Sequence, residues 1–214
     1  MSQEERYTAK SEYLHDAVVE QYEKRACYSG IIGRIRKRRE SDAVVSAIQQ
    51  FMNASVILDL PCGYGRWFDA LKLRASTIIG IDISEKMLEG ARKQNISSVN
   101  IQLHKGDAEK IPLRDSAVDC VFSFAFMKHL PDSVKCNVLG EFRRVSKGRI
   151  VVSFAVFNRF NRILWKLRGG NGYPNTPDQL REFCRLKGFK VGAVYRIGFP
   201  ILGLEQLYVL EKQD

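Results

Sequence analysis

The sequence lacks any CxxC pair. Its five cysteines are odd in number and widely scattered, at Cys27, Cys62, Cys120, Cys136 and Cys184. Disulfide frameworks and structural zinc sites need paired or closely spaced cysteines. The cysteines therefore favour neither kind of site, and they are typical of a protein in a reducing, cytosolic compartment.

Long apolar runs are lacking as well. The opening residues, MSQEERYTAKSEY, are polar and mixed in charge, and no apolar run approaches the ~18 to 20 residues of a membrane span. We therefore expect a soluble, cytoplasmic protein. Peripheral contact with the inner face of the membrane is left open.

Acidic residues are fewer than basic ones. The sequence has 24 Asp and Glu against 34 Lys and Arg, a formal charge of +10, which favours anionic partners. Two features hold much of this excess: a cluster from Arg34 to Arg39, and an amphipathic stretch from Phe157 to Arg168. In the stretch, Phe157, Phe160, Leu164 and Trp165 are predicted to share one helical face. That face indicates an interfacial helix or an apolar acceptor pocket, with a surface helix packed on the core as the alternative.

The length of 214 residues fits one domain with an extension. Residues 1–54 predict two helices broken around Ser29-Gly30, and residues 55–214 alternate between apolar runs and helical stretches. The predicted strands are Val56–Leu60, Thr77–Ile83, Asn100–His104, Val118–Phe124, Arg149–Phe154, Phe189–Arg196 and Gln206–Leu210. Helices are predicted at Arg66–Leu73, from Ser84 to Gln94, and at Pro177–Lys187. This alternation indicates a mostly parallel sheet covered on both faces.

The turn ILDLPCGYGRW lacks what common phosphate sites need. No Lys follows its glycines as in a Walker loop, and the third glycine of a dinucleotide fingerprint is missing. Cys62 has no nearby residue to activate it and is best explained as a small buried side chain. What is left is a turn in which Gly63 and Gly65 bring bare backbone close to a ligand.

Polar residues stand at the ends of the predicted strands. Asp82 ends the second strand, 17 residues after Gly65, where a carboxylate can accept hydrogen bonds from two ribose hydroxyls. Asp107 follows the third strand and Ser123 closes the fourth. These places are neighbours at one edge of a doubly wound sheet, which is where such sheets bind ligands.

In combination, these motifs resemble those of the class I S-adenosylmethionine-dependent methyltransferases, in the small-molecule branch of methyltransferase types 11 and 25. The resemblance covers Ser55 to Lys212 and is carried by VILDLPCGYGRW, IIGIDISEKML, GDAEKIPL and VDCVFSFAFMKHLPD. It implies a Rossmann-like α/β fold: a seven-stranded, mostly parallel sheet with helices on both faces, an antiparallel last strand and an N-terminal helical lid. It also implies S-adenosyl-L-methionine as cofactor and no metal.

The resemblance assigns site residues one by one. Asp59, Gly63 and Gly65 would line the methionine part of the cofactor, and Asp82 would hold the ribose hydroxyls. The remaining residues would be Ile83 against the adenine, Asp107 and Ala108 at the adenine amino group, and Ser123 offering its carbonyl to the ammonium. Pro61 departs from the family's usual glycine and removes one amide donor. Arg66 replaces a small residue and could reach the cofactor carboxylate or lie on a surface helix.

Two residues are candidates for catalysis. His129 follows the fourth strand and can titrate near neutrality, so it is a candidate base, with a helix-entry residue bonded to backbone as the alternative. Tyr22, with Arg25 nearby, lies in the extension that would cover the site, where ordinary helix packing is the alternative.

The acceptor is less well defined. The chain has SFAF where base-amino methyltransferases carry D/N-P-P-Y/F, so nucleic acid is disfavoured. We expect O-methylation of a small or amphiphilic molecule, such as a lipid-linked sugar, a lipopolysaccharide sugar or a quinone precursor. An RNA-modifying enzyme and a catalytically silent cofactor-binding scaffold are the alternatives. The sequence makes no prediction of oligomeric state.

Overall fold

A computed structural model describes residues 30–51, 54–94, 99–157, 161–167, 172–197 and 205–213. Its strands are β1 Val56–Asp59, β2 Thr77–Asp82, β3 Asn100–Lys105, β4 Cys120–Ser123, β5 Ile150–Ala155, β6 Phe189–Arg196 and β7 Glu205–Lys212. Its α-helices are α1 Gly30–Ile48, α2 Phe68–Leu71, α3 Glu85–Arg92, α4 Asp132–Val145, α5 Asn161–Leu167 and α6 Pro177–Leu186. A 3-10 helix covers Met127–His129.

The strands form one sheet in the order β3-β2-β1-β4-β5-β7-β6. The pairs from β3 through β5 are parallel, and β7 runs antiparallel to both β5 and β6. The predicted Rossmann-like fold, with its antiparallel last strand, is confirmed. Because β1 leads to β2 on one side and β4 lies on the other, the strand order reverses between β1 and β4, and a crevice is expected at their carboxyl ends.

The two faces of the sheet bury separate apolar clusters, since successive strand residues point to opposite faces. Leu58 and Val121 lie in the cluster that α4 and α6 cover. Ile57 and Phe122 lie in the opposite cluster, which α1 covers with residues 43, 44, 47 and 48. The predicted division into a lid of residues 1–54 and a domain of 55–214 stays a prediction.

Element ends follow local signals. Ser84 caps α3 by accepting from the Met87 amide, and Thr176 and Gln179 cap α6 reciprocally. The predicted helix from Arg66 to Leu73 is shorter than expected, because a hydrogen-bonded turn from Cys62 to Phe68 precedes it.

No helix within the described ranges is both long enough and apolar enough to cross a bilayer.

A buried lysine on α4 is hydrogen-bonded to the chain segment that follows β5. Lys135 has no exposed surface, and its Nζ donates to Asp132 Oδ1 (3.0 Å), to the Tyr173 carbonyl (2.5 Å) and to Asn175 Oδ1 (2.5 Å). Burial lowers the pKa of Lys135, and the hydrogen bond and charge of Asp132 oppose that shift. The Tyr173 amide in turn donates to the Lys128 carbonyl (2.7 Å). Lys135 thus fixes the segment that holds the 3-10 helix in place.

Candidate active site

A cavity opens at the carboxyl ends of the first four strands. It encloses about 950 Å³, including its open mouth. Its walls come from the turn after β1, the ends of β2 and β3, and the chain from Phe124 to His129. This is the crevice at the reversal of strand order.

Two glycines shape the turn after β1. Gly63 has φ +55° and lines the cavity, and a Cβ built on it would meet no atom within 4 Å. Gly65 has φ +80°, and its Cβ would lie 2.6 Å from the ring of Phe68. Positive φ favours glycine at both positions. Gly63 keeps the backbone open to a ligand, whereas Gly65 lets the turn pack on Phe68.

The β2 and β3 side of the cavity is acidic. Asp82, Ile83, Asp107 and Ala108 all line it. Asp82 Oδ2 accepts from the Gly63 amide and its Oδ1 from the Ser84 amide, both at 2.9 Å. A carboxylate has about four lone-pair sites, so Asp82 keeps acceptor capacity for a ligand hydroxyl.

Buried polar side chains, those of Asp82, Asp59 and Ser123, lie at or next to this wall. Burial raises the pKa of Asp82, while its backbone hydrogen bonds lower it. Burial raises the pKa of Asp59 further, and the charge of Asp82 adds to that rise. Asp59 Oδ2 and Ser123 Oγ are both buried without a hydrogen-bond partner. Because a buried carboxylate is costly without a compensating cation, Asp59 suits a positively charged ligand.

The β4 side of the cavity is aromatic. Phe124, Phe126 and Trp67 line it, and the Trp67 and Phe124 rings meet edge to face with centroids 5.1 Å apart. The predicted strand Val118–Phe124 ends early, at Ser123, because the next residues leave the sheet. Ala125 has φ +57°, and its amide donates to the side-chain Oγ of Ser153 on β5 (2.6 Å) instead of to a strand carbonyl.

His129 also lines the cavity, and its imidazole is a weak base. Burial and, to a lesser extent, the neighbouring Lys128 charge lower the pKa of His129 to about 4, against an opposing effect of Glu205. Glu205 accepts from Lys128 Nζ (3.3 Å) and from Ser153 Oγ (3.1 Å). One carboxylate on β7 therefore connects the strained peptide at Ala125 to the residues before His129.

Arg66 is an ion-pair partner as well as a cavity residue. It pairs with the buried Glu40 of α1. Its Cζ lies 4.6 Å from the centroid of the Trp67 ring and 5.9 Å from that of Phe124. Contacts of this kind between a guanidinium and aromatic faces are attractive.

Cys62 lines the cavity, but burial and the nearby Asp59 and Asp82 charges raise the pKa of its thiol far above the ordinary range. It is therefore no nucleophile. The described cysteines Cys62, Cys120, Cys136 and Cys184 are free thiols. Within the described residues no cluster of His, Cys, Asp and Glu could hold a metal ion.

The residues predicted from the sequence differ in where they lie relative to the cavity. Those that line the cavity are Gly63, Arg66, Asp82, Ile83, Asp107, Ala108 and His129. Asp59, Gly65 and Ser123 are buried outside its lining. Tyr22, Arg25 and Phe160 lie outside the described residues.

Several residues that line the cavity were not predicted from the sequence. Tyr64, Trp67, Met87, Phe124 and Phe126 line it, yet none was predicted to contribute. Each lies in or next to a quoted motif, so position after a strand end was the available signal. Apolar character alone did not distinguish these side chains from core residues.

Comparison with known proteins agrees with this geometry. A family model described as "Methyltransferase domain" matches residues 57–148. The demethylmenaquinone methyltransferase of Staphylococcus aureus is 39% identical over 99 residues, which is 44% of this chain and 40% of that protein. The Staphylococcus epidermidis protein of the same name is 34% identical over 112 residues, which is 50% of this chain and 46% of that protein. The chain thus spans less than half the length of these curated relatives.

Among solved structures, the magnesium protoporphyrin IX methyltransferase of Synechocystis with bound S-adenosylhomocysteine superimposes with a TM-score of 0.78. The match covers 96% of this chain and 99% of that one at 16% identity, so it shows a shared fold. Fold, motifs and family model are together similar to those of S-adenosylmethionine-dependent methyltransferases. Residues 57–148 thus match a methyltransferase domain, and the chain as a whole shares the fold of a solved methyltransferase that binds S-adenosylhomocysteine.

Proposed function

We propose that the protein transfers a methyl group from S-adenosylmethionine to an oxygen atom of an amphiphilic acceptor. One observation carries the proposal: a single cavity runs from the acids Asp82 and Asp107 to the aromatic residues and His129. When bound, S-adenosylmethionine supplies an already activated methyl group. The protein then has to orient an acceptor and remove its proton.

The acidic side fits the nucleoside of the cofactor. Asp82 would accept from the ribose hydroxyls, and Ile83, Asp107 and Ala108 would surround the adenine. The buried carboxylate of Asp59 and the Ser123 residue would complement the positive charge of the methionine part. The unpaired oxygens of Asp59 and Ser123 and the open space at Gly63 support this orientation.

His129 would take the acceptor's proton. With a pKa of about 4, its imidazole is neutral at neutral pH, which is the protonation state that a general base needs. A base this weak deprotonates an acidic hydroxyl far more readily than an alcohol. A phenol or quinol therefore suits His129 better than a sugar hydroxyl does.

The relatives and the cavity walls point the same way. Trp67, Phe124 and Phe126 give the cavity an aromatic wall, which suits a flat apolar ring. The curated relatives are named for a demethylated quinone, which agrees with the quinone precursor among the predicted acceptors. A quinone precursor with an apolar tail is thus the favoured substrate class, ahead of lipid-linked and lipopolysaccharide sugars.

A lipid-like acceptor makes peripheral contact with a membrane useful, and we include that contact in the proposal. Arg34, Arg36, Lys37, Arg38 and Arg39 are exposed on α1. On α5, Ile163 is 61% exposed and Leu167 78%. Exposed cations and exposed aliphatic side chains each suit an anionic bilayer surface, at the inner face of the membrane in a cytoplasmic protein.

The test is transfer of labelled methyl groups from S-adenosylmethionine into cell extracts separated into small-molecule, lipid and RNA fractions. Label in the lipid fraction, chemically traced to a quinol ether, supports the proposal. Label on a lipid-linked or lipopolysaccharide sugar would overturn the acceptor class, and label in RNA would favour the RNA-modifying alternative. Cofactor binding without transfer into any fraction would indicate a silent scaffold.

The ribose assignment has its own test. Asp82→Ala should weaken S-adenosylhomocysteine binding by about 1.5 to 3 kcal/mol, because hydrogen bonds to a charged group are lost. Isothermal calorimetry measures this directly. Unchanged affinity in a folded variant would contradict the assignment. Asp115→Ala is the matched control, since the side chain of Asp115 is 78% exposed and outside the cavity.

A further inference from the structure

Glu40 is an acid where the pattern of α1 calls for an apolar residue. The buried stripe of the helix continues from Glu40 through Ala43, Val44, Ala47 and Ile48, at the spacing of one helical face. Glu40 is only 3% exposed. A buried carboxylate is costly unless a cation compensates it, and that cation is Arg66.

The position of Arg66 shows what the pair can do. Arg66 is the only Lys or Arg among the described residues that line the cavity. Its guanidinium lies against Trp67, so its orientation is restrained on two sides, by a ring and by a carboxylate. A guanidinium has five N–H donors in a planar fork, which lets it serve more than one anion.

We propose that Glu40 is a positioning residue for the cofactor: it holds Arg66 at the cavity, where the guanidinium binds the carboxylate of the cofactor's methionine part. This inference rests on the proposed function, since it assumes that the cavity binds S-adenosylmethionine. It makes the second half of α1 a part of the cofactor site. It also gives Glu40 a function that its place on the apolar stripe does not explain.

Charge complementarity supports this orientation. The acids Asp82 and Asp107 lie on the β2 and β3 side of the cavity, whereas Arg66 belongs to the turn after β1. A ligand with a neutral nucleoside at one end and a carboxylate at the other matches that distribution. A bidentate contact between guanidinium and carboxylate adds direction as well as strength.

Two ligands separate this function of Arg66 from a purely structural one. S-adenosylhomocysteine carries the amino-acid carboxylate, and 5′-deoxy-5′-methylthioadenosine lacks it. Arg66→Met should weaken S-adenosylhomocysteine binding roughly 10- to 100-fold, the effect of losing hydrogen bonds between charged groups. Binding of methylthioadenosine should not change.

Glu40→Gln keeps the shape of the side chain and removes its charge. It should weaken S-adenosylhomocysteine binding less than Arg66→Met does, again without an effect on methylthioadenosine. Because Glu40 acts through Arg66, the double variant should bind no worse than Arg66→Met alone. Arg92→Met is the matched control, since Arg92 forms an exposed ion pair with Glu85 on α3.

The outcomes distinguish the two hypotheses. If the wild-type protein binds neither ligand, the proposed function fails. If it binds both, and Arg66→Met weakens both equally or weakens neither, the carboxylate contact is refuted. If Arg66→Met is selective but Glu40→Gln has no effect, Glu40 is not a positioning residue. Should Glu40→Gln fail to fold, Arg66→Lys decides instead, because a retained charge in the wrong geometry should give an intermediate, still selective loss.

Discussion

At the scale of single residues, His129 shows how its surroundings set the strength of a base. Burial and the Lys128 charge lower the pKa of His129 to about 4, and Glu205 acts in the opposite direction. The ordinary value is 6.5. Between these two pH values the unfolded chain binds more protons than the folded one, so stability increases with pH. The contribution of His129 to stability is complete above pH 6.5 and is lost as the pH falls towards 4.

We predict that His129 titrates with a midpoint of about 4 in NMR spectra of the imidazole. Glu205→Gln should lower that midpoint because a negative charge is removed, and Lys128→Met should raise it because a positive charge is removed. His129→Gln assigns the resonance and serves as the control. A midpoint near 6.5 would show that the imidazole is solvated, and the argument for an acidic acceptor hydroxyl would then fail.

At the scale of elements, Lys135 connects three parts of the chain through one ammonium group. It lies on α4, and it bonds to the carbonyl of Tyr173 and the side chain of Asn175, in the segment that leads to α6. That segment reaches Lys128 through the Tyr173 amide. A change at Lys135 is therefore transmitted to the 3-10 helix that ends at His129.

We predict that Lys135→Met lowers the free energy of unfolding by about 1 to 3 kcal/mol, because it leaves buried acceptors unsatisfied. Urea unfolding measures the loss, and hydrogen exchange at the amides of Tyr173 and Asn175 should become faster. Lys147→Met is the control: Lys147 is 58% exposed in its pair with Asp119, and such pairs contribute about 0 to 1 kcal/mol. Equal effects of the two substitutions would refute the special contribution of Lys135.

The elements themselves were largely predictable. Apolar runs gave the strands to within a few residues, since buried parallel strands have a continuous apolar pattern. Asp82 and Asp107 located the β2 and β3 wall of the cavity, because each comes where an apolar run ends and ligands bind at the carboxyl ends of such strands. The contacts between distant residues were not predictable: Lys135 with Asn175, Glu40 with Arg66, and Ala125 with Ser153. Such pairs depend on how separate elements pack, and no local periodicity encodes them.

At the scale of the whole molecule, the charge excess is unevenly placed. The exposed cations of the cluster from Arg34 to Arg39 lie on the first half of α1, whereas Glu40 and the second half pack on the domain. The same helix therefore carries a cationic surface on its first half and, through Glu40, contacts the cavity residue Arg66.

We predict that vesicles containing anionic lipid retain the wild-type protein more strongly than a variant in which Arg36, Lys37, Arg38 and Arg39 are Gln. Each cation near such a surface contributes about 1 kcal/mol, and salt should weaken retention because it screens the attraction. Neutral vesicles and a variant with Lys187, Lys190, Arg181 and Arg185 changed to Gln are the controls. Equal retention of all three proteins would contradict a specific membrane contact.

The two outer strands of the sheet are the places where another chain could pair with it. β3 and β6 form the edges, and an open edge is a template on which another chain can add a strand. On β6 a bulge between Val191 and Ala193 interrupts the ladder, and Lys190 and Arg196 are exposed along it. A second chain pairing there would have to follow the kink and approach these cations. The bulge and the cations on β6 therefore disfavour the addition of a further strand at that edge.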